Sequence, residues 1–205
     1  VELNSEDVDA LETLALGLLR ANEVEEAGRV VLRMENLEGA AGRVSHLKGT
    51  MALQAGNMEA AHKHMEEAFA FEPENGDIAL SYARVLLQRR DPKAKQVVAV
   101  AAERLPRRWD AQYMAGRLAL SDGEVDTAVK HLRRARVDNP DFVDTYLQLA
   151  RAYELNSEPA KSERCLRDLI DRFPSLPEGY LALAELFRSR GDTESAVAIQ
   201  NQMPK

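Results

Sequence analysis

Few side chains in this 205-residue chain could carry chemistry. There are four histidines: His46, His62, His64 and His131. Two histidines on one helix can share a metal when they stand three or four apart, because only then do they lie on one face. His62 and His64 are two apart and point to different sides. His46 and His131 have no neighbouring ligand pattern. All four read as surface or packing residues, and neither a metal nor a cofactor is expected. Cys165 is the sole cysteine, so no internal disulfide exists. It lies in a helical pattern beside Leu166 with no histidine paired to it, and reads as a buried thiol rather than a nucleophile. The acidic residues fall at helical spacing on polar faces, as solvated charge does. No Gly-rich phosphate loop occurs. Enzymatic activity is not expected of this chain.

The elements that hold these residues are helices. Ala, Leu, Glu and Arg abound, charged residues make up 30% and aromatics 5%, and the polar–apolar alternation of strands is missing. No apolar run approaches the roughly 20 residues of a membrane span, so direct membrane insertion is not expected. No signal-peptide pattern opens the chain, and with a first residue Val1 it is expected to be part of a longer protein. Cytoplasm and bacterial periplasm both fit. The net charge of −7 disfavours nucleic acid as a partner. That total hides an asymmetry: residues 1–41 hold 3 basic and 10 acidic side chains, whereas residues 76–108 hold 8 basic and 3 acidic. The two ends could meet different partners, or each other.

Gly49, Gly56, Ala61, Met65, Ala68 and Pro73 recur 67 residues later as Gly116, Gly123, Ala128, Leu132, Ala135 and Pro140. Ala184, Gly191 and Ala196 continue the series. A period near 34 is the mark of stacked helical hairpins. Small residues in mid-helix let two helices approach. Gly costs about 1 kcal/mol in a helix interior, so Gly49 and Gly116 point to a packing need. Gly56, Gly123 and Gly191 fall in the turns, and Pro73, Pro106, Pro140 and Pro174 end the second helices.

The pattern resembles the tetratricopeptide repeat, with Leu14-Ala15-x2-Leu18, Leu149-Ala150-x2-Tyr153 and Leu183-Ala184-x2-Phe187 in first helices and Ala27…Val31, Ala94…Val98 and Ala128…Leu132 in second helices. The resemblance implies an all-α fold: one right-handed superhelical solenoid over 1–205, of about six antiparallel helix-turn-helix repeats at 8–41, 42–75, 76–108, 109–142, 143–176 and 177–205. Four departures stand out. The third repeat is one residue short, and Asp91-Pro92 there is expected to act as a cap followed by proline at the first helical position. Gly39 stands where the first repeat should have proline. Ser162 and Leu169 replace alanines in the fifth repeat, so its helices are expected to pack less regularly. The last repeat has no polar capping helix after it, which is expected to leave Ile199 and Met203 at an open end.

The resemblance also implies a concave face, lined by first helices, that binds a protein or peptide segment. Carried onto this chain, the inward positions are Leu80, Leu147 and Tyr113, then Arg84, Arg117 and Arg151, then Leu87 and Leu120. Arg107, Arg108 and Trp109 form the groove edge. This is an apolar stripe beside an arginine ladder, and arginine grips carboxylates in a fork. The ladder could instead pair internally with Asp77, Asp110, Asp144 and Glu178. The carboxylate clamp that some relatives use on chaperone tails is absent, since Glu12, Leu16, His46 and Thr50 occupy its places. The expected function is non-catalytic binding of a partner segment. The alternative is a scaffold segment of a larger assembly, of the bacterial envelope, secretion or polysaccharide-export kind, that self-associates through its uncapped ends or recruits an enzyme.

Overall fold

A computed structural model describes residues 7–204. Among them every regular element is an α-helix. The chain forms two compact units, Val1–Leu105 and Pro106–Lys205. The first contains α1 (Val8–Arg20), α2 (Val24–Met34), α3 (Ala41–Gln54), α4 (Met58–Phe71), α5 (Gly76–Arg89) and α6 (Ala94–Arg104). The second contains α7 (Trp109–Ser121), α8 (Val125–Asp138), α9 (Val143–Leu155), α10 (Pro159–Arg172), α11 (Pro177–Ser189) and α12 (Thr193–Asn201). Each expected repeat holds one hairpin, and the helices of a hairpin pack on each other.

The small residues close these hairpins as their spacing implies. A Cβ at Gly49 would meet Met65 Cε at 2.9 Å, and one at Gly116 would meet Leu132 Cγ at 2.5 Å. Ala61, Ala128, Met65 and Leu132 are fully buried. Each proline follows a residue held outside the helical region, as a pre-proline residue prefers: Glu72, Leu105, Asn139 and Phe173 are C-caps with φ between −119° and −138°. Two of these loops are further tied down. Tyr146 and Tyr180 each donate a hydrogen bond from the phenol to the carbonyl of the proline six residues back, Pro140 at 3.0 Å and Pro174 at 3.1 Å.

The turn within each hairpin needs one residue at positive φ. Gly56, Gly123 and Gly191 supply it in the second, fourth and sixth hairpins, at +72°, +76° and +80°. Asn22, Arg90 and Ser157 supply it in the others, at 64°, 56° and 55°. The geometry is thus common to all six turns although the glycine is not.

Two sequence expectations are corrected here. Pro92 lies in the turn, not at a first helical position, because α6 begins at Ala94 with Lys93 as its N-cap; the Asp91 carboxylate closes that turn instead, accepting from Lys93 N at 2.8 Å. In the fifth hairpin both Ser162 and Leu169 are buried. Leu169 is buried, and the size it adds is absorbed on the next helix, where a Cβ at Gly179 would stand 2.9 Å from Ile170 Cγ1 and 3.3 Å from Leu169 Cγ. Ile199 and Met203 are not laid open: Ile199 is buried, and Met203 is half-buried against the same core. The large apolar side chain that α12 exposes is Val197.

Candidate functional site

The histidines and the cysteine are built into the packing. His46 is buried, with Nε2 2.9 Å from Ser81 Oγ. His131 Nδ1 lies 2.8 Å from Oε1 of the fully buried Gln112; burial, with Lys130 and Arg134 nearby, holds its pKa below the ordinary histidine value. His62 faces the Tyr82 ring, and His64 Nδ1 meets Glu67 at 3.1 Å. Cys165 is buried and its thiol donates to the Tyr146 carbonyl at 3.5 Å. Burial pushes the thiol from its ordinary 9.0 up to about 11. The neutral thiol is the less reactive form. Ellman's reagent at pH 8 should therefore leave the folded chain unmodified and label it fully once denaturant opens the core. The unfolded thiol ionises first as pH rises, so stability should fall between about pH 9 and 11, and Cys165→Ala should flatten that part of the profile. Rapid labelling of the native chain would contradict this placement.

The first-helix positions divide into buried and presented side chains. In the Val1–Leu105 unit, Leu80 is buried in the core, Leu87 is half-buried and Arg84 is exposed. In the other unit, Tyr113 is buried, Leu120 and Leu147 are half-buried, and Arg117 and Arg151 are exposed. Leu80 and Tyr113 are thus each core residues of their own unit rather than presented side chains. The Arg117 guanidinium lies 5.6 Å above the Tyr113 ring. That ring meets Phe142 edge-on at 4.9 Å, and Phe142 packs on Trp109 at 4.7 Å. Trp109 therefore ties α7 to the start of α9 through an aromatic cluster.

Neither Arg117 nor Arg151 makes an ion pair among the described residues. The acids expected to absorb them are engaged elsewhere: Asp110 meets Arg108 at 3.4 Å, and Asp144 accepts from Gln148 at 3.4 Å. Arg151 and Leu147 border a cleft of about 330 Å³ between α9 and α11, with α10 as its floor. Leu155, Leu166 and Leu186 give it apolar walls, Glu154 and Glu185 share the rim, and Ser162 lies at the base. Those two carboxylates are already paired, Glu154 with Arg190 at 3.2 Å and Glu185 with Arg188 at 3.1 Å.

Arg107 belongs to a different surface. It borders a cleft of about 710 Å³ with Lys130, Arg133 and Arg134 of α8, beside Val129 and the exposed Val137. The spacing of Lys130, Arg133 and Arg134 on one helix carried that signal in the sequence. Reading along first helices alone passed over it. Among the described residues no helix is long and apolar enough to cross a membrane.

Models of the tetratricopeptide repeat match residues 52–118, 110–141 and 143–186. The human protein "Tetratricopeptide repeat protein 7A" is 29% identical over 97 residues, which are 47% of this chain and 11% of that protein, so the chain spans a small part of this relative. A solved structure of Pseudomonas aeruginosa pilF superposes with a TM-score of 0.72 at 17% identity, over 95% of this chain and 89% of that one. A structure of YrrB, described as a TPR protein with an unusual peptide-binding site, gives 0.64 at 23% identity, over 84% and 90%. At these identities the two structures speak to the fold.

Proposed function

The chain belongs to the tetratricopeptide repeat family of protein-interaction scaffolds, and from that premise we propose that it is a non-catalytic module that holds a partner protein segment on the first helices of its hairpins. The observation that carries this reading is the state of Arg117 and Arg151. Both are exposed, neither is spent on an internal carboxylate, and each stands beside half-buried leucines. A guanidinium kept free next to apolar surface suits a segment that brings carboxylates and apolar side chains together. On α5, Arg84 is exposed beside the half-buried Leu87. That YrrB has a peptide-binding site is consistent with such a role for a chain of this fold.

The test is capture of a partner from native extract by the wild-type chain beside Arg117→Glu/Arg151→Glu. The side chains are exposed, so the variant should keep its fold by circular dichroism. Each reversed contact to a carboxylate should cost about 1.5–3 kcal/mol, and the two together should reduce capture about a hundredfold or more. A partner retained equally by both proteins would contradict the reading. It would move the site to the basic cleft of Arg107 and α8 and favour the alternative of a self-associating scaffold segment.

A further inference from the structure

Ser162 marks where the fifth hairpin leaves the repeat. Ala27, Ala61, Ala94, Ala128 and Ala196 hold the matching place elsewhere. Here a methyl is replaced by a hydroxyl that is 1% exposed and has no hydrogen-bond partner among the described residues. A buried hydroxyl left without a partner is costly, and a fold that retains one has a use for it or a strain to explain. This one lies at the base of the α9–α11 cleft, whose walls are mostly leucine and alanine and whose other hydroxyl, that of Ser189, is already bonded to the Leu186 carbonyl. At about 330 Å³ the cleft admits one large side chain. Its rim carries a spare positive charge, because Glu154 and Glu185 are paired while Arg151 has no acidic partner.

We infer that this cleft takes a tyrosine side chain of the partner segment, its phenol hydrogen-bonded to Ser162 Oγ and a neighbouring carboxylate of the segment on Arg151. The inference rests on the first-helix reading above and adds to it the chemistry of the anchor. Tyrosine has the apolar body that the leucines require and a hydroxyl that can both donate to and accept from Ser162. Phenylalanine would fill the same space and leave the serine unpaired.

The test is an NMR titration of the full chain, followed at the methyl groups of Leu147, Leu166 and Leu186. The probes are N-acetyltyrosine, N-acetylphenylalanine and N-acetyltyrosinamide. N-acetyltyrosine should saturate the cleft and bind about fivefold more tightly than N-acetylphenylalanine, the worth of one neutral hydrogen bond. Ser162→Ala installs the residue of the other hairpins, so it should fold normally and bind the two probes equally. The tyrosinamide should bind more weakly than the acid, and Arg151→Gln should remove that difference. Equal binding of the two acids to the wild type, or a tyrosine preference that survives Ser162→Ala, would overturn the inference. So would shifts that map outside the cleft. The two readings fail separately. A partner indifferent to the arginine reversals sinks the first-helix reading whatever the probes do. A lost tyrosine preference with arginine-dependent capture sinks only the anchor.

Discussion

Replacing Gly116 with alanine should destabilise the protein by about 2 kcal/mol in chemical denaturation, against the usual direction for a glycine in a helix. Alanine normally gains about 1 kcal/mol over glycine in a helix interior. Here the added methyl would lie 2.5 Å from Leu132 Cγ, 2.9 Å from Leu132 Cδ2 and 3.2 Å from the Leu132 backbone nitrogen. Leu132 is fully buried and cannot swing away, and the backbone cannot yield without moving α8. Overpacking of this kind costs up to about 3 kcal/mol, which outweighs the helical gain. Two other glycines calibrate the result. Gly17 is exposed in α1 and an added Cβ there meets nothing within 4 Å, so Gly17→Ala should stabilise by about 1 kcal/mol. The three atoms nearest a Cβ at Gly49 all belong to the Met65 side chain; the flexible thioether can give, so Gly49→Ala should fall between the two. A stabilising Gly116→Ala would mean that α7 and α8 are not held at this distance.

Leu132→Ala should cost about 3 kcal/mol, the range for emptying a fully packed leucine site. Leu132 is 0% exposed and belongs to the core that runs through Leu149, Leu166 and Leu183. The two substitutions should not add. With Leu132 reduced to alanine, Cγ and Cδ2 are gone, and the methyl brought in at Gly116 enters the space they leave. The double variant should therefore be more stable than the sum of the singles by about 1–2 kcal/mol, as expected for residues in contact. Strict additivity across that cycle would show that the glycine and the leucine do not meet.

The packing was legible because its physics is local. Gly116 facing Leu132, Ala128 in the same seam and Pro140 after the last turn recur at a fixed period, and each requirement admits few residue types. How Leu169 is accommodated was hidden for the converse reason. Leu169 in place of alanine looked like a defect, and the compensating loss of bulk at Gly179 sits on another helix, where no spacing rule links the two. The hairpin turns show another limit. Asn22, Arg90 and Ser157 adopt the left-handed conformation without announcing it, because surrounding contacts impose it. For the candidate site, counting singled out Arg117 and Arg151, and both side chains are exposed. It could not tell that Tyr113 turns under Arg117 into an aromatic cluster, or that Arg107 turns towards α8. A fixed offset in sequence carries no information on how far a helix is rotated against its neighbours.

The most direct test of the central claim is a footprint of the bound segment on the folded chain. A peptide selected on the immobilised protein from a random-sequence display library would be titrated into isotopically labelled protein, and backbone amide and leucine methyl shifts recorded. If first helices carry the function, the shifts concentrate on α7, α9 and α11, at Arg117, Leu120, Leu147 and Arg151, and reversal of Arg117 and Arg151 abolishes them. Shifts confined to α8, at Lys130, Arg133 and Arg134, and unaffected by those reversals, would contradict the account.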